Sequence, residues 1–129
     1  MSSDSTSKPI LVLDFDGVVH QYKTGWVDAR VIQDPVTDGF FDWAQMAGRH
    51  FDLQIYSSRS SEPGGIDAMA AWLLEQRAKS GRLFSREIGF PTTKPAAFLT
   101  IDDRALNFTG NWSDFPMHEL LNFKPWNRS

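Results

Sequence analysis

Four aspartates stand in two close groups, each beside an apolar run. Asp14 lies within the run ILVLDF and Asp16 directly follows it, whereas Asp102 and Asp103 follow the run FLTI. Carboxylates that share one site repel each other, and a buried carboxylate is costly unless it is paired or binds a metal. A divalent cation removes that repulsion, and oxygen ligands with room for water favour Mg²⁺. The sequence therefore predicts a Mg²⁺ site that uses Asp14, Asp16, Asp102 and Asp103.

Hydroxyl and basic side chains accompany these acids and suit a phosphoryl group. Ser57 follows another apolar segment, Ser58 is the alternative hydroxyl if that segment ends one residue later, and Lys94 precedes the second acidic pair. A hydroxyl, an ammonium and Mg²⁺ together match the spread negative charge of a phosphoryl group in transfer. Arg59 has two interpretations, as a phosphate ligand or as one partner of an ion pair. We predict phosphate binding by Ser57, Ser58, Arg59 and Lys94, with Lys79 and Arg82 as alternatives to Lys94.

The elements that must position these residues alternate between strands and helices. Short apolar runs bounded by turn residues predict strands, and apolar residues at helical spacing predict helices. Alternation of this kind predicts a three-layer α/β sandwich with a mostly parallel central sheet, in which ligands bind at the carboxyl ends of the strands. The predicted strands are Ile10–Phe15, Asp52–Tyr56, Glu87–Phe90 and Phe98–Ile101, and the predicted helices run from Asp34-Pro35 to near Gly48 and from Ile66 to Gly81.

Composition limits the domain organisation and the classes of function. The chain has 129 residues, a formal charge of −3 from 13 Lys and Arg against 16 Asp and Glu, and no cysteine. One domain of ordinary size fits this length, so we predict a disordered polar leader over residues 1–8 and a single domain over residues 9–129. The lack of cysteine excludes disulfides, thiolate zinc sites and cysteine nucleophiles.

The chain has no apolar run long enough to span a membrane and no basic cluster of the kind that general nucleic-acid binding needs. We therefore expect a cytoplasmic protein with no membrane partner. Nothing in the sequence indicates an oligomeric state.

The order of these residues along the chain resembles the four motifs of the haloacid dehalogenase (HAD)-like phosphatases. Asp14-Phe15-Asp16-Gly17 comes first, Ser57 and Lys94 follow, and Asp102-Asp103 comes last, so the match spans most of the chain. The resemblance implies that Asp14 is the nucleophile that forms an aspartyl-phosphate, and that Asp16 is first the general acid and then the general base. An acid at position 16 implies a phosphate ester as the substrate, because dehalogenating members of the family lack it.

The same resemblance implies the remaining roles. Asp102 and Asp103, with Asp14 and the backbone carbonyl of Asp16, hold Mg²⁺, and the serine and lysine motifs hold the phosphoryl oxygens. The family often carries a cap domain after the first or second motif, but the gaps in this chain hold only a helix and a strand each. The chain therefore resembles a capless member, whose open site admits a large substrate such as a nucleotide, a nucleic-acid end or a phosphoprotein. Ser57-Ser58-Arg59 and Asp102-Asp103-Arg104 are similar to stretches of polynucleotide 3′-phosphatases.

A phosphoacceptor receiver domain, which signals without turnover, is the alternative function. Such domains have similar length, layering and residue types, but their acidic pair follows the first strand and their phosphorylated aspartate ends the third. Here Asp-x-Asp comes first and Asp-Asp last, so the order of motifs favours the phosphatase. The aromatic segment Asn107–Ser129, with a helical stretch at Met117–Asn122, is expected to pack over the edge of the sheet, and a partner-binding patch is the alternative interpretation.

Overall fold

The computed structural model describes residues 8–127, which form an α/β fold around a parallel sheet. The strands are β1 (Ile10–Leu13), β2 (Asp52–Ile55) and β3 (Leu99–Ile101), and their order in the sheet is β2-β1-β3. Both neighbours pair with β1 in parallel, so that Leu11 lies opposite Leu53 on one side and Leu99 on the other. Because parallel strands end at one edge, the residues after β1 and after β3 meet there.

The helices are α1 (Phe40–Ala47), α2 (Gly65–Ser80) and α3 (Met117–Leu121), with two 3₁₀ turns at Ser58–Ser61 and Trp112–Asp114. Three of the four residues of β1 are buried, as expected for an apolar strand that is covered on both faces, whereas β2 alternates, with Leu53 and Ile55 buried and Asp52 exposed. Helices α1 and α2 bury one side each against them. The core formed in this way includes Leu11, Leu13, Phe15, Phe40, Phe41, Ala44, Leu53, Ile55, Met69, Trp72 and Leu73.

The first helix begins later than the sequence predicted. Its first residue is Phe40, preceded by Gly39 with φ 82°, and not the Asp34-Pro35 pair. The carboxylate of Asp34 accepts hydrogen bonds from the backbone N–H and the hydroxyl of Thr24, at 2.7 and 2.6 Å, and therefore does not cap a helix. The predicted ends at Gly48 and Gly81 are confirmed, with both residues in the C-cap position.

The predicted strand Glu87–Phe90 is wrong as a strand and is reduced to one bridge between Gly89 and Gln54. Gly89 donates to the Leu53 carbonyl at 3.0 Å, and its own carbonyl accepts from Ile55 at 2.8 Å. One residue therefore pairs with β2 before the chain turns away. The other predicted strands are confirmed, each within two residues of the predicted ends.

The C-terminal segment differs from the prediction in its packing. All three residues of β3 are exposed, and the large apolar side chains beyond it, such as Trp112 and Leu121, are 78% and 85% exposed. The expected helix is present as α3, but the segment does not bury its aromatic residues over the sheet edge. Phe108, Trp112 and Phe115 contact one another instead.

Residues 1–7 of the predicted leader lie outside the described part of the chain. Lys8, the last residue of that leader, donates a hydrogen bond from Nζ to the Gly48 carbonyl at 2.6 Å. Within residues 8–127, no helix combines the length and the apolar character needed to cross a membrane.

Candidate metal and phosphate site

Three carboxylates meet where β1 and β3 end. Asp14 directly follows β1, Asp102 and Asp103 follow β3, and one oxygen from each lies within 4.8 Å of the others. The two strand ends are joined by a hydrogen bond of 2.9 Å from the Asp14 N–H to the Ile101 carbonyl. The parallel pairing of β1 with β3 thus creates the acidic cluster, as the sequence predicted for these three residues.

The cluster is electrostatically unfavourable by itself. Burial, together with the nearby charges of Asp102 and Asp103, raises the pKa of Asp14 from 3.8 to about 8. Burial also raises the pKa of Asp103. The Oδ1 atom of Asp103 is buried without a hydrogen-bond partner among the described residues. Buried acceptors without partners are rare in proteins, so this oxygen is free to accept a further ligand.

Gly17 is needed for the close approach of Asp103. Its φ is +85°, and a Cβ at this position would lie 2.2 Å from Asp103 Oδ2. A side chain at residue 17 would therefore both strain the backbone and displace one of the three acids. The sequence carried this signal, because glycine directly follows Asp16 in the first motif.

Asp16 lies beside the cluster but is held by other partners. Its carboxylate accepts hydrogen bonds from Arg59 Nε, at 2.9 and 3.2 Å, and from His20 Nδ1 at 2.9 Å. The Asp34 N–H donates to His20 Nε2 at 3.1 Å, so Nε2 is an acceptor and Nδ1 carries the proton that His20 donates. The carboxylate of Asp16 is thus not one of the three that form the cluster.

Arg59 joins the first motif to the loop that follows it. Its side chain is fully buried, and its Nη1 donates to the carbonyls of residues 28, 29 and 31 at 2.9 to 3.0 Å. The guanidinium also lies over the Trp26 ring, 4.7 Å from its centroid, a geometry that is typical of cation–π contacts. Arg59 is therefore one partner of an ion pair with Asp16, which is one of the two interpretations that the sequence offered. Its buried guanidinium presents no exposed donor to a phosphate in this conformation.

The other candidate phosphate ligands are not part of the acidic cluster. The Ser57 side chain is buried and caps the 3₁₀ turn, where its Oγ accepts from the Arg59 N–H at 2.9 Å. Ser58 and Lys94 are both exposed. Of the alternatives to Lys94, Lys79 pairs with Glu75 and Arg82 with Asp42. Phosphate binding by Ser57, Ser58, Arg59 and Lys94 stays a prediction.

A cavity of about 520 Å³ opens beside the acidic cluster. Residues that the sequence interpretation did not assign to the site form part of its wall, notably Gln21, Thr37 and Trp126. Trp126 had no local signal, because its contact with Gly17 joins residues that are 109 positions apart. Trp126 reaches the site only because the C-terminal segment folds back onto the loop after β1.

Comparison with known proteins gives no match: no family model matches the chain, and neither a curated protein nor a solved structure is significantly similar to it.

Proposed function

We propose that this chain is a Mg²⁺-dependent phosphoric monoester hydrolase that forms an aspartyl-phosphate on Asp14. One observation carries the proposal: three carboxylates from the ends of two adjacent parallel strands converge beside an open cavity. This is the place where ligands bind in parallel α/β sheets. The proposal includes the finer architecture that the resemblance implies, a capless HAD-like domain with three layers.

The residues present fit a magnesium ion. Asp14, Asp102 and Asp103 offer only oxygen ligands, which hard cations prefer, and the buried Oδ1 of Asp103 has no other partner among the described residues. When bound, Mg²⁺ would offset the charges of these acids and of the phosphoryl oxygens. The open side of the cluster leaves room for the substrate and for water.

Asp14 is the proposed nucleophile. A carboxylate oxygen of Asp14 bonds to phosphorus while the bond between phosphorus and the leaving oxygen breaks, and that oxygen takes up a proton. Water then attacks the phosphorus of the aspartyl-phosphate, the bond to Asp14 breaks, and phosphate leaves. The partly buried position of Asp14 at the end of β1 holds the nucleophile on a rigid element.

Asp16 is the proposed general acid and base, and the geometry adds a condition to that role. Its oxygens accept hydrogen bonds from Arg59 and His20, so Asp16 has to exchange a proton with the substrate or water through an acceptor site that these two donors leave open. A proton donor must lie within hydrogen-bond reach of the atom that it serves.

The open cavity supports a large or nucleotide-type substrate. Neither gap between the motifs contains a cap domain: residues 17–56 hold α1 and β2, and residues 58–93 hold a 3₁₀ turn and α2. The ester group can therefore reach the acids while the rest of the substrate extends into solvent.

Release of inorganic phosphate tests the proposal. The substrates are an aryl phosphate and an oligonucleotide with a 3′-phosphate, each with Mg²⁺ and with a chelator. We expect release that depends on Mg²⁺ and that Asp14→Asn abolishes, by a factor of at least about 1,000. The matched control is Asp52→Asn, because Asp52 begins β2 at the opposite edge of the same sheet.

Retained activity in Asp14→Asn would contradict the aspartyl-phosphate mechanism. The same assay separates an enzyme from a receiver domain. With substrate in excess, an enzyme releases many phosphates per chain, whereas a receiver stops after one and accumulates the phosphorylated aspartate.

A further inference from the structure

The cavity beside the acidic cluster has an aromatic side that comes from the C-terminal tail. Its walls are the end of β3 with Asp102 and Asp103, the loop after β1 with Gly17 and Gln21, and the indole of Trp126. A group bound at the acids therefore has a tryptophan beside it, in addition to polar side chains from the loop.

The indole of Trp126 is anchored although it is not buried. Its Nε1 donates to the Gly17 carbonyl at 2.6 Å, and the following residue, Asn127, donates from Nδ2 to the Gln21 carbonyl at 3.0 Å. Yet 62% of Trp126 is exposed. Trp72 also donates its indole N–H to a backbone carbonyl, but only 6% of it is exposed, and a buried indole usually needs such a partner.

The anchor lies next to the acids. Gly17, which accepts the indole N–H, is the residue whose Cβ would contact Asp103 Oδ2. The indole is thus bonded to a residue that packs against Asp103, and it lines the same cavity as Asp102 and Asp103. A leaving group on a phosphate held at these acids would extend into that cavity. An anchored ring loses little freedom when another ring stacks on it, which favours binding.

We propose that Trp126 is a substrate-binding residue that stacks on an aromatic ring in the leaving group of the phosphate ester. The inference rests on the proposed function and narrows the substrate class to esters that carry a planar ring, whether a nucleobase or a simple aryl group. Stacking of a base on an aromatic side chain changes affinity by about tenfold or more.

The test compares two esters of similar reach, benzyl phosphate and cyclohexylmethyl phosphate, on the full chain with Mg²⁺. Both are esters of primary alcohols, so their intrinsic reactivities are similar and the comparison isolates the ring. We expect kcat/KM to favour the benzyl ester by about tenfold or more. Trp126→Leu should bring that ratio close to one, and Trp126→Phe, which keeps a ring but loses the N–H anchor, should give a ratio between those of Trp126→Leu and the wild type. Trp112→Leu is the matched control, because Trp112 is an exposed tryptophan of the same tail that contacts Phe108 and Phe115 instead.

Equilibrium dialysis with the Asp14→Asn chain, with and without Trp126→Leu, measures the affinity for both esters. It therefore tests ring selectivity without turnover. If the wild type releases no phosphate but dialysis still shows ring selectivity that Trp126→Leu removes, the proposed function fails and the stacking role stands. If turnover occurs with equal kcat/KM for both esters, or if Leu and Phe at position 126 lower the ratio equally, the stacking role is overturned. Absence of binding of either ester also overturns it.

A second pair, adenosine 5′-monophosphate against ribose 5-phosphate, distinguishes a nucleobase from a simple aryl group.

Discussion

Two regions of this chain are built differently although they share one sheet. Residues 10–90 contain the hydrophobic core, which is formed mainly by apolar side chains of β1, β2, α1 and α2, and a fully buried Arg59 ties the loop after β1 to the first motif. Residues 98–127 leave β3 exposed and present large apolar side chains to solvent, including Trp112 and Leu121. The first region is a packed core, and the second is an exposed extension of it.

The acidic cluster lies on the border between these regions. Asp14 comes from the packed region, whereas Asp102, Asp103 and the cavity wall at Trp126 come from the exposed one. Carboxylates from the two regions repel each other when they are charged, so we expect that the proposed Mg²⁺, by binding them, would stabilise the contact between the regions. Function and stability are therefore expected to be coupled at this border.

The largest expected effect is on the packed region and comes from Arg59→Met. The change leaves Asp16 without its arginine and leaves the carbonyls of residues 28, 29 and 31 without their shared donor. Loss of one partner of a buried ion pair costs about 3–5 kcal/mol of unfolding free energy. Urea unfolding measures the loss. The control is Arg30→Met, because Arg30 is exposed and its pair with Asp28 is solvated, so its loss should be at most about 1 kcal/mol.

The second prediction concerns the acidic cluster and the dependence of the unfolding free energy on pH. The pKa of Asp14 is raised from 3.8 to about 8 in the folded chain, so the folded state binds this proton more tightly than the unfolded state does. Without metal, the unfolding free energy should therefore fall as pH rises from about 4 to about 8, with a slope of at most about 1.4 kcal/mol per pH unit from this group. Asp103, whose pKa is also raised, acts in the same direction.

Urea midpoints at several pH values in EDTA measure this decline. Asp14→Asn should remove a large part of it, and Asp52→Asn should keep it. Equal slopes for wild type and Asp14→Asn would show that the cluster does not couple to folding.

Gly17→Ala should damage the site more than the fold. Alanine at a positive φ costs about 1–2 kcal/mol, and its Cβ would also displace Asp103, which lies 2.2 Å from the ideal Cβ position. A displacement of about 1 Å at an active site can lower the rate about 100-fold. Gly110→Ala is the matched control, since Gly110 has a φ of +94° but no atom within 4 Å of its Cβ position. Similar phosphate release by the two variants would contradict a role for Gly17 in placing Asp103.

The smallest expected effect is in the exposed region. Trp112→Ala should change the unfolding free energy by less than about 1 kcal/mol, because the side chain is 78% exposed. Trp72→Ala is the contrast in the packed region, where loss of a buried tryptophan costs about 3–5 kcal/mol. Similar losses for the two variants, measured by urea unfolding, would show that the tail is more tightly integrated than its exposure indicates.

Much of this arrangement follows from local patterns in the sequence. The apolar runs predict β1, β2 and β3, glycines predict the ends of α1 and α2, and the acids after β1 and β3 predict a shared cluster because parallel strands end at one edge. These features depend on neighbours along the chain and on one rule of sheet geometry, so sequence alone determines them. The Asp34-Pro35 pair predicted the start of α1 wrongly. The Asp34 carboxylate accepts a hydrogen bond from the Thr24 hydroxyl and does not cap the helix.

Only the tertiary structure decided which partner each polar side chain takes. Asp16 pairs with Arg59, 43 residues away, and Trp126 reaches Gly17, 109 residues away. Neither pairing has a local pattern, because it depends on how loops close and on which groups burial leaves without water. Each buried donor must find an acceptor among whatever the packing brings near. The sequence therefore determined which strand ends carry the acids. The packing of distant segments determined which side chains lie beside those strand ends.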